Sequence, residues 1–262
     1  MSNSIHPSAI VSAKAQIADN VEIGPFTIIE DDVVIGEGTK IGSSVLCANG
    51  ARIGKHCSIH KGAVVATPPQ DLKYKNEPTT CEIGDNTTVR EFCTLNRGTT
   101  EHWKSTIGSN CLLMAYAHVA HDCTIGNNVI IANAVQMGGH VTIHDWAIIG
   151  GLTAVHQFSF IGAHAMVQGH KGVAKDVPPF IRAGREPLVY EGLNSVGLRR
   201  RGFSAETIAD IQQAYRVLYA SGYNVSQAVE HIEKEMTMTP EIQLIIDFIR
   251  CSKRGIVSGH AH

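Results

Sequence analysis

An aliphatic residue returns at every sixth position along most of the chain, and this spacing restricts the possible folds more than any other feature. One run begins at Val11 and extends through residue 65, and a second covers residues 83–95. The longest run covers residues 107–173. Neither the 3.6-residue period of a helix nor the two-residue period of an isolated strand maintains such a pattern. The spacing therefore predicts a parallel β-helix built from hexapeptide units.

A glycine often stands directly after the repeated aliphatic residue. Because glycine adopts positive φ angles without steric cost, we expect these glycines to form the corners between strands. They are Gly24, Gly36, Gly42, Gly54, Gly84, Gly108, Gly126, Gly138, Gly150 and Gly162. Three hexapeptides make one coil of eighteen residues, so residues eighteen apart should stack at the strand spacing of about 4.8 Å.

Two interruptions break the repeat, at residues 66–80 and 97–105. Insertions into a solenoid leave its wall as loops, and such loops often carry binding groups. The Pro178-Pro179 pair then stops further coils. We therefore assign residues 1–185 to a β-helix domain that carries both insertions.

Helical spacing of apolar residues replaces the repeat in residues 186–262, which we predict to form a C-terminal helical domain. After a connecting segment, Ser204 is a suitable N-cap for a helix that extends to about Ser221. Two more helices are predicted over residues 224–235 and 239–253. Because the end of a β-helix needs a cover, we expect this domain to cap one end.

The composition fits a soluble protein and argues against several classes of partner. Of the 262 residues 44% are hydrophobic, but no apolar run approaches the length of about 18 residues that a membrane span needs. The net charge of -2 predicts no nucleic-acid binding and no stable membrane insertion. The N-terminal residues show no secretion signal. Seven cysteines without a C-x-x-C pair predict free thiols in a cytoplasmic protein.

Polar residues interrupt the repeat most densely on three successive coils. His121, Gly139 and Gln157 are spaced by eighteen and should form one row, with His118 in the adjacent row. Several histidines therefore face one surface patch. A flat face has no pocket, but a three-sided prism packs naturally as a closed trimer with a site at each subunit boundary. We therefore expect a homotrimer.

Acid–base chemistry is the natural use of such a patch. A neutral imidazole can take a proton from a sugar hydroxyl as that oxygen attacks an acyl carbon. His121 beside Asp122 offers a base and a carboxylate that fixes its tautomer, provided that the chain turns a corner at Asp122. A backbone N–H of the Gly138-Gly139 pair is a candidate donor to the developing oxyanion. A simple tight corner is an equally good interpretation of these glycines.

Nearly the whole chain resembles one known family. The segments that carry the resemblance are AHVAHDCTIGN, GGHVTI, IIGGLTAVHQF, IGAHAMV, QDLKY and the tail from GLRRRGFS. They are similar to the acyl-carrier-protein-dependent UDP-N-acetylglucosamine O-acyltransferases of lipid A biosynthesis. The resemblance implies an all-β, left-handed parallel β-helix of hexapeptide repeats with a C-terminal α-helical domain. It also implies a homotrimer that transfers an (R)-3-hydroxyacyl group from acyl carrier protein to the 3-hydroxyl of UDP-N-acetylglucosamine.

The resemblance also implies roles for individual residues. His121 would be the general base, Asp122 its partner and Gly139 the oxyanion donor. Residues implied to bind the substrates are Gln70, Asp71, Lys73, His118, His140, His156, Gln157, Asn194, Arg200 and Arg201. No metal or nucleotide cofactor is implied, because the phosphopantetheine arm arrives with the acyl carrier protein.

Two positions depart from the family pattern. Asn96 stands where the family commonly has histidine, so it can donate a hydrogen bond to a diphosphate but cannot carry charge. The segment Arg185-Glu186-Pro187 differs from the polar stretch that helps to limit acyl length in some members. Positions matching Met166 and Gly169 contribute to the same acyl-chain tunnel.

Other functional classes remain open. The hexapeptide proteins include acyltransferases that use coenzyme A, and a sister N-acyltransferase with an added N-terminal uridine-binding domain. Because the repeat begins by Val11, we expect no such domain. A zinc hydratase resembling the γ-type carbonic anhydrase, in which three histidines hold the ion across a trimer boundary, would use His118, His121 and His140 as ligands. A non-enzymatic scaffold is the third class, since solenoids often serve as binding surfaces.

The small Gly169 leads us to expect a long acyl chain, because a residue without a side chain leaves the tunnel open. Turnover measured across acyl carriers of increasing chain length should rise toward long donors. A sharp preference for short chains would contradict this expectation.

Overall fold

The computed structural model describes residues 3–259, in which short parallel strands form the three faces of a left-handed β-helix. Consecutive strands along the chain belong to the three faces in turn, so each sheet runs the length of the prism. Each strand pairs in register with the strand one coil away, as Ile125 of one coil does with Ile143 of the next. The predicted hexapeptide β-helix is confirmed.

Sheet I contains β1 (Ser4–Ile5), β4 (Glu22–Ile23), β7 (Lys40–Ile41), β10 (Ser58–Ile59), β13 (Thr88–Val89), β16 (Leu112–Leu113), β19 (Ile130–Ile131), β22 (Ile148–Ile149), β25 (Met166–Val167), β27 (Ile181–Gly184) and β28 (Val189–Leu193). Sheet II contains β2 (Ile10–Val11), β5 (Ile28–Ile29), β8 (Leu46–Cys47), β11 (Val64–Thr67), β14 (Thr94–Asn96), β17 (His118–Val119), β20 (Gln136–Met137), β23 (Ala154–Val155) and β26 (Gly172–Val173). Sheet III contains β3 (Gln16–Ile17), β6 (Val34–Ile35), β9 (Ala51–Ile53), β12 (Thr80–Ile83), β15 (Lys104–Ile107), β18 (Thr124–Ile125), β21 (Thr142–Ile143) and β24 (Phe160–Ile161).

The repeated aliphatic residues form the core of the prism. Residues such as Ile29, Leu113 and Ile149 are at most 1% exposed. Six of the seven cysteines are buried and all seven are free thiols, as predicted. Burial raises the pKa of the Cys47 thiol to about 12, so this side chain acts as a small apolar residue.

The corners of the coils lie at the third residue after the repeated aliphatic. Asp122, His140 and Phe158 occupy this position with φ of 57°, 60° and 63°. The glycines that directly follow the aliphatic do not have positive φ, so our explanation of them was wrong. A Cβ on Gly108 would lie 2.5 Å from the carbonyl oxygen of Gly126. These glycines are therefore required by the close approach of the next coil.

The first insertion is anchored to the coils beneath it. The guanidinium of Arg97 donates to the Tyr74 hydroxyl at 2.8 Å and to the Asn49 carbonyl oxygen at 2.6 Å. The side-chain amide of Asn96, buried in the wall, donates to the Thr67 hydroxyl at 3.0 Å and to the backbone beyond it. The loop that carries QDLKY is thus fastened to the coils by these hydrogen bonds.

Four helices follow the coils: α1 (Ser195–Arg200), α2 (Ala205–Ala220), α3 (Val225–Glu235) and α4 (Pro240–Cys251). The last three confirm the predicted helices, and their N-caps are Ser204, Asn224 and Thr239. The segment expected to be a simple connection instead contains β28 and α1. Because β27 and β28 pair antiparallel across residue 185, they join the two predicted domains there. Among residues 3–259, no helix is long and apolar enough to cross a membrane.

We predict that Gly108→Ala destabilises the fold by about 1–3 kcal/mol, the usual cost of overpacking. Its Cβ would meet the backbone of the next coil, which cannot move independently. Gly172→Ala is the matched control, because its Cβ would have no neighbour within 4 Å. The free energy of unfolding in denaturant should fall for the first variant and stay within about 1 kcal/mol for the second. Equal effects would contradict the close-approach explanation.

Candidate active site

The corner between sheets II and III, here called the II–III edge, brings His121 and Asp122 together. Consecutive residues of a flat strand point to opposite sides. The left-handed conformation of Asp122 turns its side chain back toward its neighbour, and Oδ2 lies 2.8 Å from His121 Nδ1. The corner required by the sequence analysis is therefore present. With Nδ1 donating to the carboxylate, Nε2 of His121 is the nitrogen left to accept a proton.

The Asp122 carboxylate is held on its other side by the second insertion. The Thr99 backbone N–H donates to Oδ1 at 2.9 Å, and the Thr99 hydroxyl donates to Oδ2 at 2.7 Å. Asp122 is 1% exposed. Burial alone would raise its pKa, but the hydrogen bonds from His121 and Thr99 outweigh burial and lower the pKa to about 2. Asp122 is therefore charged at neutral pH and fixed in orientation.

Gly139 lies one coil above His121 and packs against its ring. A Cβ there would be 2.6 Å from Cε1 and 2.7 Å from Nε2 of His121. The Gly139 N–H makes no hydrogen bond to any residue in the described part of the chain. Ser109, like Gly139, is the second residue after a repeated aliphatic, and its N–H donates to the Asn127 side chain. The uncapped N–H beside His121 is thus available to an incoming oxygen.

His140 occupies the next corner of the same edge. Its ring stacks on Phe158, with centroids 4.4 Å apart, and meets the His121 ring edge-on at 5.1 Å. Burial lowers its pKa, and this effect exceeds the opposite influence of Glu101 and Asp122. His140 is therefore neutral at physiological pH, with its ring orientation fixed by packing.

A cavity of about 720 Å³ opens over the II–III edge. The first insertion covers it, and the predicted residues Gln70, Asp71 and Lys73 all line it. The Asp71 carboxylate accepts a hydrogen bond from the Lys73 backbone N–H at 2.9 Å, which fixes the loop turn. The cavity is further lined by His121, His140 and Gln157, together with Phe158, Thr99 and Glu101.

His118 is in β17 of sheet II and His156 directly follows β23 of the same sheet, and neither residue lines the cavity. His118 Nδ1 shares a hydrogen bond with the Thr94 hydroxyl at 2.8 Å, and burial lowers the His118 pKa. His156 is exposed and its Nδ1 lies 2.9 Å from the Gln157 carbonyl oxygen. Asn96 is also outside the lining, since its amide donors are used within the first insertion.

The residues predicted to contact the nucleotide lie at a different corner, the III–I edge. Arg201 donates to the carbonyl oxygen of Trp146 at 3.0 Å and lies over the Trp146 ring. Asn194 caps α1 and donates to the His164 carbonyl oxygen at 3.0 Å, whereas Arg200 is exposed. A single chain therefore does not bring these three residues together with His121.

The two predicted tunnel residues are in a third region. Met166 is on β25 of sheet I, and exposed Gly169 is at the corner between sheets I and II. A Cβ on Gly169 would lie 2.9 Å from the Gly151 carbonyl oxygen. The predicted site residues thus occupy all three edges of the prism in one chain.

Metal-ligand geometry is found near the cavity, but not with the trio considered above. The described residues include two groups with donor atoms within 4.8 Å of one another. One group is His121, Asp122 and His140, and the other is Glu101, His102 and His140. His118 belongs to neither group, so the three histidines of the γ-type carbonic anhydrase hypothesis do not converge within one chain.

Several residues of the site were missed by the sequence analysis, namely Thr99, Glu101, His102 and Phe158. Three of them belong to the second insertion, which was identified only as a loop. Phe158 directly follows Gln157, and its corner position was a signal for contact with His140 one coil below. No comparable signal indicates that Thr99 bonds to Asp122.

Comparisons with known proteins bear on both halves of the chain. A family model described as UDP N-acetylglucosamine O-acyltransferase, domain 2, matches residues 176–257. A model described as bacterial transferase hexapeptide (six repeats) matches residues 14–49 and 104–136.

Full-length relatives are similar to this chain throughout. The acyl-(acyl-carrier-protein)–UDP-N-acetylglucosamine O-acyltransferase of Trichlorobacter lovleyi is 54% identical over 98% of this chain and 100% of the relative. The enzyme of the same name from Thermodesulfovibrio yellowstonii is 46% identical over 97% and 99%. The solved structure of the UDP-N-acetylglucosamine acyltransferase from Bacteroides fragilis has a TM-score of 0.94 and 47% identity, covering 97% of this chain and 99% of that one.

We predict that His164 makes the fold sensitive to mild acid. Burial, with the charge of Arg201, lowers the pKa of His164 from 6.5 to about 4. Because the unfolded chain protonates first, the stability due to neutral His164 is complete above pH 6.5 and decreases as the pH falls toward 4. In His164→Gln, unfolding midpoints should therefore depend less on pH in this window than in the unaltered protein. Parallel pH profiles of the two proteins would contradict the assignment.

Proposed function

The chain belongs to the family of UDP-N-acetylglucosamine O-acyltransferases, enzymes of the first step of lipid A biosynthesis, and we propose a mechanism for it centred on His121. The substrates we propose are UDP-N-acetylglucosamine and an (R)-3-hydroxyacyl group on acyl carrier protein. The observation that carries the mechanism is the short contact between His121 and the charged, buried Asp122.

In the proposed reaction, Nε2 of His121 takes the proton of the sugar 3-hydroxyl as its oxygen attacks the thioester carbonyl carbon. The carboxylate of Asp122 stabilises the imidazolium that forms. Collapse of the tetrahedral intermediate breaks the carbon–sulfur bond, and the leaving thiolate takes the proton from His121. Bonds, charge and protons balance without a cofactor, and the phosphopantetheine thiol departs with the carrier protein.

The Gly139 N–H is the proposed donor to the oxyanion of that intermediate. It is uncapped within the described residues and belongs to the residue that packs on the His121 ring. The donor and the base are on consecutive coils, so the distance between the Gly139 N–H and the His121 ring is fixed by the spacing of the coils. A donor of this kind typically contributes about 10²–10³ in rate.

The cavity supports a place for the acceptor sugar and its phosphates beneath the first insertion. Lys73 supplies a positive charge at the lining, which suits a diphosphate. We assign Gln70, Asp71, His118, His140, His156 and Gln157 to the surrounding acceptor and donor path. We assign Asn96 an indirect part in substrate binding, through the first insertion that it fixes, because both N–H donors of its side chain are already used there.

A homotrimer is proposed because the assigned residues lie on three different edges of one chain. Asn194, Arg200 and Arg201 on one subunit would contact the nucleotide held at the II–III edge of a neighbour. Met166 and Gly169 would likewise line the acyl tunnel at the boundary between subunits. A cytoplasmic location is proposed as well, in agreement with seven free cysteine thiols.

We expect His121→Ala to lower kcat for acyl transfer by about 10²–10⁴, the usual contribution of a general base.

Thr99→Val tests the orientation of Asp122, because it removes the hydroxyl donor but keeps the backbone N–H. Loss of one hydrogen bond to a charged group costs about 1.5–3 kcal/mol, so kcat should fall roughly tenfold or more. Product formation from UDP-N-acetylglucosamine and acyl carrier protein, followed by mass spectrometry, measures both effects.

The control for these variants is Thr106→Val, which removes a threonine hydroxyl from sheet III outside the cavity lining. Its activity should match that of the unaltered protein. Sedimentation of each variant reports whether assembly is intact. Retained transfer by a correctly assembled His121→Ala protein would reject His121 as the base.

A further inference from the structure

The second insertion places two additional ligand-type side chains beside His140. Glu101, His102 and His140 each offer one donor atom, and the three atoms lie within 4.8 Å of one another. Glu101 Oε2 is 3.7 Å from His140 Nε2, and the His102 and His140 rings are 5.6 Å apart, edge to face. None of the steps proposed for acyl transfer uses Glu101 or His102.

His140 lacks the partners that a buried imidazole normally has. Its side chain is only 10% exposed, and its Nδ1 has no hydrogen-bond partner in the described residues. Its Nε2 faces Glu101 Oε2 and, at 3.9 Å, Asp122 Oδ2. Both distances exceed those of hydrogen bonds. A buried imidazole without a hydrogen bond at Nδ1 is unusual. Its other nitrogen, Nε2, is directed toward the carboxylates of Glu101 and Asp122 and is open to a ligand on that side.

The chemistry of these three groups matches a particular class of cation. Two imidazoles and one carboxylate form a known ligand set for Zn²⁺ with an open fourth position. Zinc bonds of about 2.0–2.2 Å place donor atoms roughly 3.4 Å apart, which is closer than here. The Glu101 side chain is exposed and can rotate inward, while the His140 ring stacked on Phe158 stays fixed. The His102 Nδ1 lies 3.3 Å from the Asp122 carbonyl oxygen, which leaves Nε2 of His102 as its ligand atom.

We propose that Glu101, His102 and His140 bind a Zn²⁺ ion, and that the bound ion inhibits the enzyme. The ion would occupy the space beside His121 into which the acceptor hydroxyl must enter. Its charge would also compete with His121 for the Asp122 carboxylate, which lies next to His140 Nε2. The inhibitory part rests on the proposed function, whereas the binding part does not.

Isothermal titration of the metal-free protein with zinc chloride tests binding directly. Glu101→Gln combined with His102→Gln should weaken the site at His140 by tenfold or more, since loss of even an outer partner of a metal site costs 10–100-fold. Glu37→Gln combined with His56→Gln is the matched control, because this exposed pair lies on other coils. The control should bind zinc as the unaltered protein does. Other thiols and imidazoles, such as exposed Cys251, contribute the same background to every protein.

Acyl transfer measured over a zinc series tests inhibition. The unaltered protein should lose activity at the zinc concentration that fills the site. The activity of the Glu101/His102 variant, compared with its own rate without zinc, should not change at that concentration. Equal zinc affinity in this variant and the control would overturn the site. Binding without any loss of transfer would overturn inhibition. If the zinc-free protein transfers no acyl group while zinc still binds at this site, the proposed function fails and the metal site stands.

Discussion

Backbone hydrogen bonding between successive coils is the constraint on which the rest of the structure depends. Corner residues are held by the neighbouring coil, as the His140 N–H is by the His121 carbonyl oxygen at 3.0 Å and the Phe158 N–H by the Gly139 carbonyl oxygen at 3.1 Å. These bonds fix residues eighteen apart at one strand spacing. Residues with different chemistry, including His121 and Gly139, are therefore brought to one edge by the coils themselves.

The hexapeptide period was sufficient to predict the faces, the core and the row of residues along the II–III edge. The period arises because each strand buries one aliphatic residue, and these residues can be recognised in the sequence itself. It did not indicate why glycine follows the aliphatic, because the contact of Gly108 with the next coil involves residues eighteen positions away. Helix caps such as Ser204 are local signals and were correct. The bond from Thr99 to Asp122 joins a loop to a distant coil, and no local pattern marks it.

The candidate site combines a rigid wall with groups supplied from loops. The coils fix His121, Asp122 and Gly139, while the second insertion provides the donors that keep Asp122 charged despite its burial. Burial favours the neutral form of both groups, and at His140 it prevails, so that the imidazole stays neutral. Two ionisable groups within 4 Å of each other therefore differ in charge, because hydrogen bonds keep Asp122 ionised whereas burial keeps His140 neutral.

The eighteen-residue coil also limits how the chain can change in length during evolution. After loss of one hexapeptide between His121 and Gly139, every later strand could still pair within one of the three sheets. Each of those strands would, however, move to the next side of the prism. Base and glycine would then stand on separate edges of a protein that still folds. Only gain or loss of a whole turn preserves the alignment, so length variation should be concentrated in the two insertions, which leave the wall without altering its phase.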